Sequence, residues 1–127
     1  MEKLVIPATE DTPEVNFNKE NGVFLISGKS LPEDVIEFYS PIFSWLEKYA
    51  TDPNETTRMQ VKIIYFNSAS QRALNEIFTI LGRVTMKGKT VEVEWLYHED
   101  DDEMKEAGKE FADITQLSFH FKSFVLN

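Results

Sequence analysis

Strict alternation of apolar and polar side chains in the second half of this chain limits its architecture more than any other feature. From Thr90 to Tyr97, Val91, Val93, Trp95 and Tyr97 alternate with Thr90, Glu92, Glu94 and Leu96, and from Leu117 to Phe121, Leu117, Phe119 and Phe121 alternate with Ser118 and His120. A period of two marks strands with one dry and one wet face. A doubly wound parallel sheet buries both faces and reads as near-continuous apolar runs, so that architecture is excluded. Gln60, Lys62, Glu92, Glu94, His120 and Lys122 are expected to share the wet face. The expected fold is α/β, a mixed β-sheet with an N-terminal hairpin, followed by alternating helices and strands with all helices packed on one face.

The remaining elements follow from local signals. A short strand is expected around Leu4 to Ile6. Glu14 to Asn18 and Val23 to Ser27 flank a loop ending in Asn21-Gly22, the signature of a hairpin, and Gly28 is expected to end its second arm. Pro32-Glu33-Asp34 opens a helix to about Ala50, in which Pro41 predicts a kink or irregular step near Tyr39 to Pro41. Met59 to Phe66 is the best central strand. A helix from Ala69 to about Lys87 repeats Leu74, Ile77, Phe78, Leu81 and Val84 at helical spacing, and Asp100 to Ile114 supplies a third. Without a repeat or a long linker, residues 1–127 read as one domain.

Composition narrows the function. With 42% hydrophobic and 13% aromatic residues a core is assured. The balance of 22 acidic residues against 13 Lys plus Arg, a formal charge of −9, repels nucleic acid and anionic membranes, so neither is an expected partner. Absence of cysteine removes disulfides, thiolate metal sites and thiol catalysis. The opening Met-Glu-Lys-Leu-Val-Ile-Pro is too short an apolar run for a signal peptide, and no stretch approaches the roughly 18 apolar residues of a membrane span, so a cytoplasmic location is expected. No P-loop, Gly-x-Gly-x-x-Gly, His-Glu-x-x-His or Gly-x-Ser-x-Gly pattern occurs, and no enzyme activity or cofactor is expected.

The joint between the central strand and the second helix carries the most specific signal. Apolar character stops at Asn67, and Ser68 begins a Ser-x-x-Gln capping box with Gln71, which predicts Ser68 as the N-cap, among unpaired amides at the positive end of the helix dipole. Such a position tolerates a phosphate. No general base is recognisable beside it, so the hydroxyl reads as a target for another enzyme rather than as a nucleophile, or simply as a common helix cap. Ser70 competes as acceptor but, at N2, is expected to be less exposed. His98 beside Glu99, Asp100, Asp101, Asp102 and Glu103 reads as a solvated helix start rather than a metal site, because consecutive acids point in different directions. The first helix is apolar over about half its circumference at 100° per residue, which leaves Ile36, Tyr39 and Phe43 as candidate partner-binding residues unless such positions lie under loops or the hairpin.

Several segments together resemble one family: Thr12-Pro13-Glu14-Val15-Asn16-Phe17, Gly28-Lys29-Ser30-Leu31-Pro32-Glu33-Asp34, Phe38-Tyr39-Ser40-Pro41, Trp45-Leu46-Glu47, Tyr65-Phe66-Asn67-Ser68-Ala69-Ser70 and Trp95-Leu96-Tyr97. The chain is similar over nearly its whole length to the SiaC family of bacterial regulatory phosphoproteins. The resemblance implies a STAS-like fold and a partner-switching role. An unmodified family member binds and activates a diguanylate cyclase in c-di-GMP and biofilm signalling, a dedicated serine/threonine kinase phosphorylates it, and a PP2C-type phosphatase restores it. It also implies Ser68 as the phosphorylated residue, flanked by Asn67, Ser70 and Gln71, with serine standing where threonine is more familiar. Competing expectations are an anti-sigma-factor antagonist and a small-ligand-binding domain.

Overall fold

The computed structural model describes residues 1–125. Six strands form one sheet whose spatial order equals chain order. β1 (Leu4–Ile6), β2 (Glu14–Asn18) and β3 (Val23–Ser30) pair antiparallel; β4 (Thr56–Phe66), β5 (Thr90–His98) and β6 (Ser118–Phe124) then add in parallel to β3 and to one another. Between the parallel strands run α1 (Val35–Tyr49), α2 (Ser68–Thr85) and α3 (Asp102–Thr115). Each of the three crossovers steps to the adjacent parallel position, and the hand that such connections almost always take delivers successive helices to one face of the sheet.

Burial follows that geometry residue by residue. Val15 and Phe17, Phe24 and Ile26, Met59, Val61 and Ile63, and Val91, Val93 and Trp95 are buried on the helix side. Opposite, the sheet is laced by polar pairs: in register, Arg58 Nε to Glu92 at 2.9 Å and Gln60 to Glu94 at 3.0 Å, and on the diagonal Lys122 to Glu94 at 3.5 Å. The hydrogen bond from Gln60 holds the Glu94 carboxyl below its ordinary pKa, partial burial works against it, and Lys122 adds to it. The alternation expected from the sequence is therefore the alternation observed.

Two expectations need correction. Gly28 does not end the hairpin arm: β3 continues to Ser30, and the register with β4 shifts between Gly28 and Lys29. Gly28 adopts φ +124°, which disfavours any side chain, so the glycine creates a bulge in a continuing strand rather than a stop. Nor is there an irregular step near Pro41: α1 is helical throughout from Val35 to Tyr49. Proline deprives the Glu37 carbonyl of its intrahelical donor, but the neighbouring Ser40 hydroxyl donates to the Ile36 carbonyl at 2.6 Å, and the burial of Tyr39, Ile42, Leu46 and Tyr49 holds the face on both sides of the proline against the sheet.

The core is heavily aromatic. Trp45 stacks on Tyr49 and meets Phe17 and Phe24 under the hairpin, and its indole N–H donates to the Glu2 carbonyl at 2.8 Å. At the other end Trp95 packs with Phe111 and Phe119 beneath α3, and its N–H donates to the Met104 carbonyl at 2.9 Å.

Candidate functional site

At the C-terminal edge of the parallel strands, β3 and β4 end side by side, with Ser30 opposite Phe66. Asn67 follows in an extended conformation (φ −93°, ψ 177°), and its side-chain oxygen accepts from the Ser70 N–H at 2.9 Å. Asn67 is therefore the N-cap of α2, and Ser68 is its first helical residue. The expected Ser68–Gln71 capping box is not formed. Both residue types cap well; β4 ends at Phe66 as expected, and the helix begins one residue earlier than the Ser-x-x-Gln pattern indicates, so the cap falls on Asn67. Removing it should cost about 0.5–2 kcal/mol in Asn67→Ala, whereas Ser68→Ala should lie within about 0.5 kcal/mol of the wild type. Chemical denaturation of the two variants distinguishes this order from its reverse.

Ser68 is exposed, and among the described residues its hydroxyl has no hydrogen-bond partner. Ser70 is its opposite. It is fully buried, its hydroxyl donates to the Ser30 carbonyl at 2.8 Å, and it accepts from the Ser30 hydroxyl at 2.8 Å. Tyr39 completes the chain by donating to the Ser30 hydroxyl at 2.6 Å. Burial pushes the Tyr39 phenol above its ordinary pKa, against its hydrogen bond with Ser30, so it remains the protonated donor. This buried relay ties α1, the end of β3 and the first turn of α2 together, and each member is satisfied only while the others stay in place. Ser70 accordingly lies at N3 rather than N2, inaccessible to an enzyme.

Tyr39 must also leave the set of partner-binding residues, because it is fully buried and its hydroxyl is engaged. Ile36 is 73% exposed and Phe43 half-buried, the latter stacked on the Tyr39 ring at 5.9 Å. Ile36 and Phe43 face α2 across an open groove of ≈ 310 Å³ floored by Val35, Ala69 and Ala73 and edged by Arg72 and Glu76. A second groove, ≈ 650 Å³, lies on the other flank of α2, between Ser68, Gln71, Arg72 and Asn75 and the α3 residues Ala107, Glu110, Phe111 and Ile114. Ser68 thus stands at a helix start bordered on both sides by concave, partly apolar surface. Arg72, which lines both grooves, escaped the sequence reading, although counting four residues from Ser68 along a helix would have found it.

Electrostatically the first turn of α2 is bare. It contains no acidic residue, whereas α1 and α3 each carry acids there, Glu37 in one and Asp102 and Glu103 in the other. The acidic run near His98 resolves into capping: Asp101 accepts from the Met104 N–H at 2.9 Å, and His98 Nδ1 accepts from the Asp100 N–H at 3.1 Å. Among the described residues no helix is long and apolar enough to cross a membrane.

The comparisons with known proteins agree with this geometry. An uncharacterized protein of Pseudomonas aeruginosa (strain UCBPP-PA14) is 25% identical over 119 residues, covering 94% of each chain. The solved structure of SiaC of Pseudomonas aeruginosa shares the fold with a TM-score of 0.88 at 24% identity, over 98% of this chain and 100% of the other. A chain in the crystal structure of the diguanylate cyclase SiaD in complex with its activator SiaC, from the same organism, reaches 0.89 at 24% identity over 95% and 99%. The family model described as SiaC family regulatory phosphoprotein matches residues 6–124, from the end of β1 to the end of β6. With the match running the length of the sheet, this chain belongs to the SiaC family of regulatory phosphoproteins.

Proposed function

We propose that this chain is a non-enzymatic switch protein that binds and activates a diguanylate cyclase while Ser68 is unmodified, and that a serine/threonine kinase and a PP2C-type phosphatase set the state of Ser68. The observation that carries the reading is the contrast between two serines two residues apart in the first turn of α2: among the described residues Ser68 is exposed and unpartnered, Ser70 buried and doubly hydrogen-bonded. The family description as regulatory phosphoproteins and the relative that activates SiaD support the same role. A phosphate adds about −1.5 to −2 charges. At the bare N-terminus of α2 it stabilises the helix by about 0.3–1 kcal/mol, so the fold survives modification and the change is read by partners. A cytoplasmic location is part of the same proposal.

Intact mass spectrometry after incubation with the cognate kinase should show one added phosphate that is absent in Ser68→Ala. Phosphate persisting in that variant would reject Ser68 as the acceptor. Affinity capture of the unmodified protein from cells should retain a diguanylate cyclase; a sigma-factor antagonist system in its place would assign the output to transcription.

A further inference from the structure

We infer that Arg72 is the intrinsic counter-ion of phosphorylated Ser68 and couples the two grooves on either side of α2. The inference rests on Ser68 being the phosphoacceptor. Three observations lead to it. Arg72 follows Ser68 by four residues on one helix, which puts the two side chains on the same face, about 5–6 Å apart at Cβ, and both line the groove against α3. Among the described residues Arg72 makes no ion pair, whereas Arg58 is committed to Glu92. Finally, Arg72 also lines the groove against α1, together with Glu76, four residues further on.

The guanidinium therefore stands between an acid on its C-terminal side and a hydroxyl on its N-terminal side. Of the two orientations, acid before base along the helix is the stronger, because it agrees with the dipole. A phosphate on Ser68 also presents more charge than a single carboxylate, and three oxygens for the planar fork of arginine. Phosphorylation draws Arg72 toward the α3 side and removes a cation from the edge of the groove formed with Ile36 and Phe43. Glu110, across the α3 groove, is the competing charge: it repels the phosphate and attracts Arg72, and Gln71 and Asn75 beside it are neutral. A modification in one groove is thereby reported in the other by one side chain, with no movement of the backbone.

The test uses the full-length chain with phosphoserine encoded at position 68, so that no kinase is required. Phosphorus NMR titration reads the second ionisation of the phosphate. Arg72→Gln should raise that pKa by roughly 0.2–0.7 units, the shift equivalent to an exposed ion pair, Arg72→Lys should restore part of it, and Arg83→Gln, the same charge change at the far end of α2, should leave it where it was. An unchanged titration in Arg72→Gln, or an equal rise in Arg83→Gln, overturns the coupling. Because the phosphate is encoded, failure here leaves the phosphosite reading standing, and failure of the kinase experiment leaves this measurement valid.

Discussion

Gly108→Ala should unfold the protein at a markedly lower temperature. A methyl group at Gly108 would lie 2.5 Å from Trp95 Cδ1, 2.6 Å from Nε1 and 2.8 Å from Cε2. Trp95 cannot retreat, because it is 1% exposed, fixed by its N–H to the Met104 carbonyl and enclosed by Phe111 and Phe119. Helix α3 must therefore lift from the sheet. Overpacking of this kind costs about 1–3 kcal/mol and occasionally more, and with three ring atoms inside 3 Å it outweighs the roughly 1 kcal/mol by which alanine exceeds glycine in helix propensity. At this chain length each kcal/mol lowers Tm by roughly 3–6 °C. Gly108→Val, with two more atoms directed into the indole, should lose more. Calorimetry with tryptophan fluorescence checks both variants; a Tm at or above the wild type would show that the helix and the indole are not in contact at this position. Since Ala107, Phe111 and Ile114 of the same helix wall the groove beside Ser68, partner binding should suffer too.

The second large effect is functional. Phosphoserine at position 68 should weaken binding to the proposed cyclase partner about a hundredfold, equivalent to about 2.8 kcal/mol, while leaving Tm unchanged or slightly raised. Opposite signs on the two measurements follow from the location. Free, the phosphate is solvated at a helix start without other acids; in a complex spanning α2 it must be dehydrated against a surface evolved for a hydroxyl, at a cost that Arg72 offsets only in part. Isothermal titration of both forms decides it. Equal affinities would remove charge at this position as the switch, and a parallel loss of stability and affinity would mean that the modification simply disrupts α2.

The pattern of what could be read in advance has a physical basis. Alternation is a local property of each strand, so β5 and the polar face spanning Gln60, Glu92 and Glu94 were legible from spacing alone, whereas Arg58 lay before the expected start of its strand. The Asn67 cap was missed by one residue because Asn and Ser have similar capping strength and only the backbone angles choose between them. Tyr39 was misjudged for a different reason: helical periodicity measures how wide an apolar face is, but the partner that engages the buried tyrosine hydroxyl is Ser30, which itself meets Ser70 forty residues away. Gly28 and Pro41 illustrate the limits of residues that break regular structure. A glycine that suits a turn suits a bulge equally well, and a proline whose helix is pinned on both sides of it costs free energy without ending the helix.

Identity between strand order and chain order has a consequence for biosynthesis. Every strand joins a neighbour that has already left the ribosome, and no position in the sheet is held open for a segment still to be made. The antiparallel β1–β3 unit comes first and is the cheapest in loop closure; each later helix and strand then extends an existing edge by one place. A chain stalled after β4 has α1 to cover its sheet, and one stalled after β5 has α1 and α2. Pulse proteolysis of ribosome-bound chains of increasing length should therefore show protection gained in steps, one per helix-strand unit, and a single late step would mean that the sheet forms only when β6 is complete. On the stepwise route Ser68 is presented on an assembled α1–α2 surface before α3 is synthesised, so the modification proposed for it requires no completed domain if its enzyme reads only that surface.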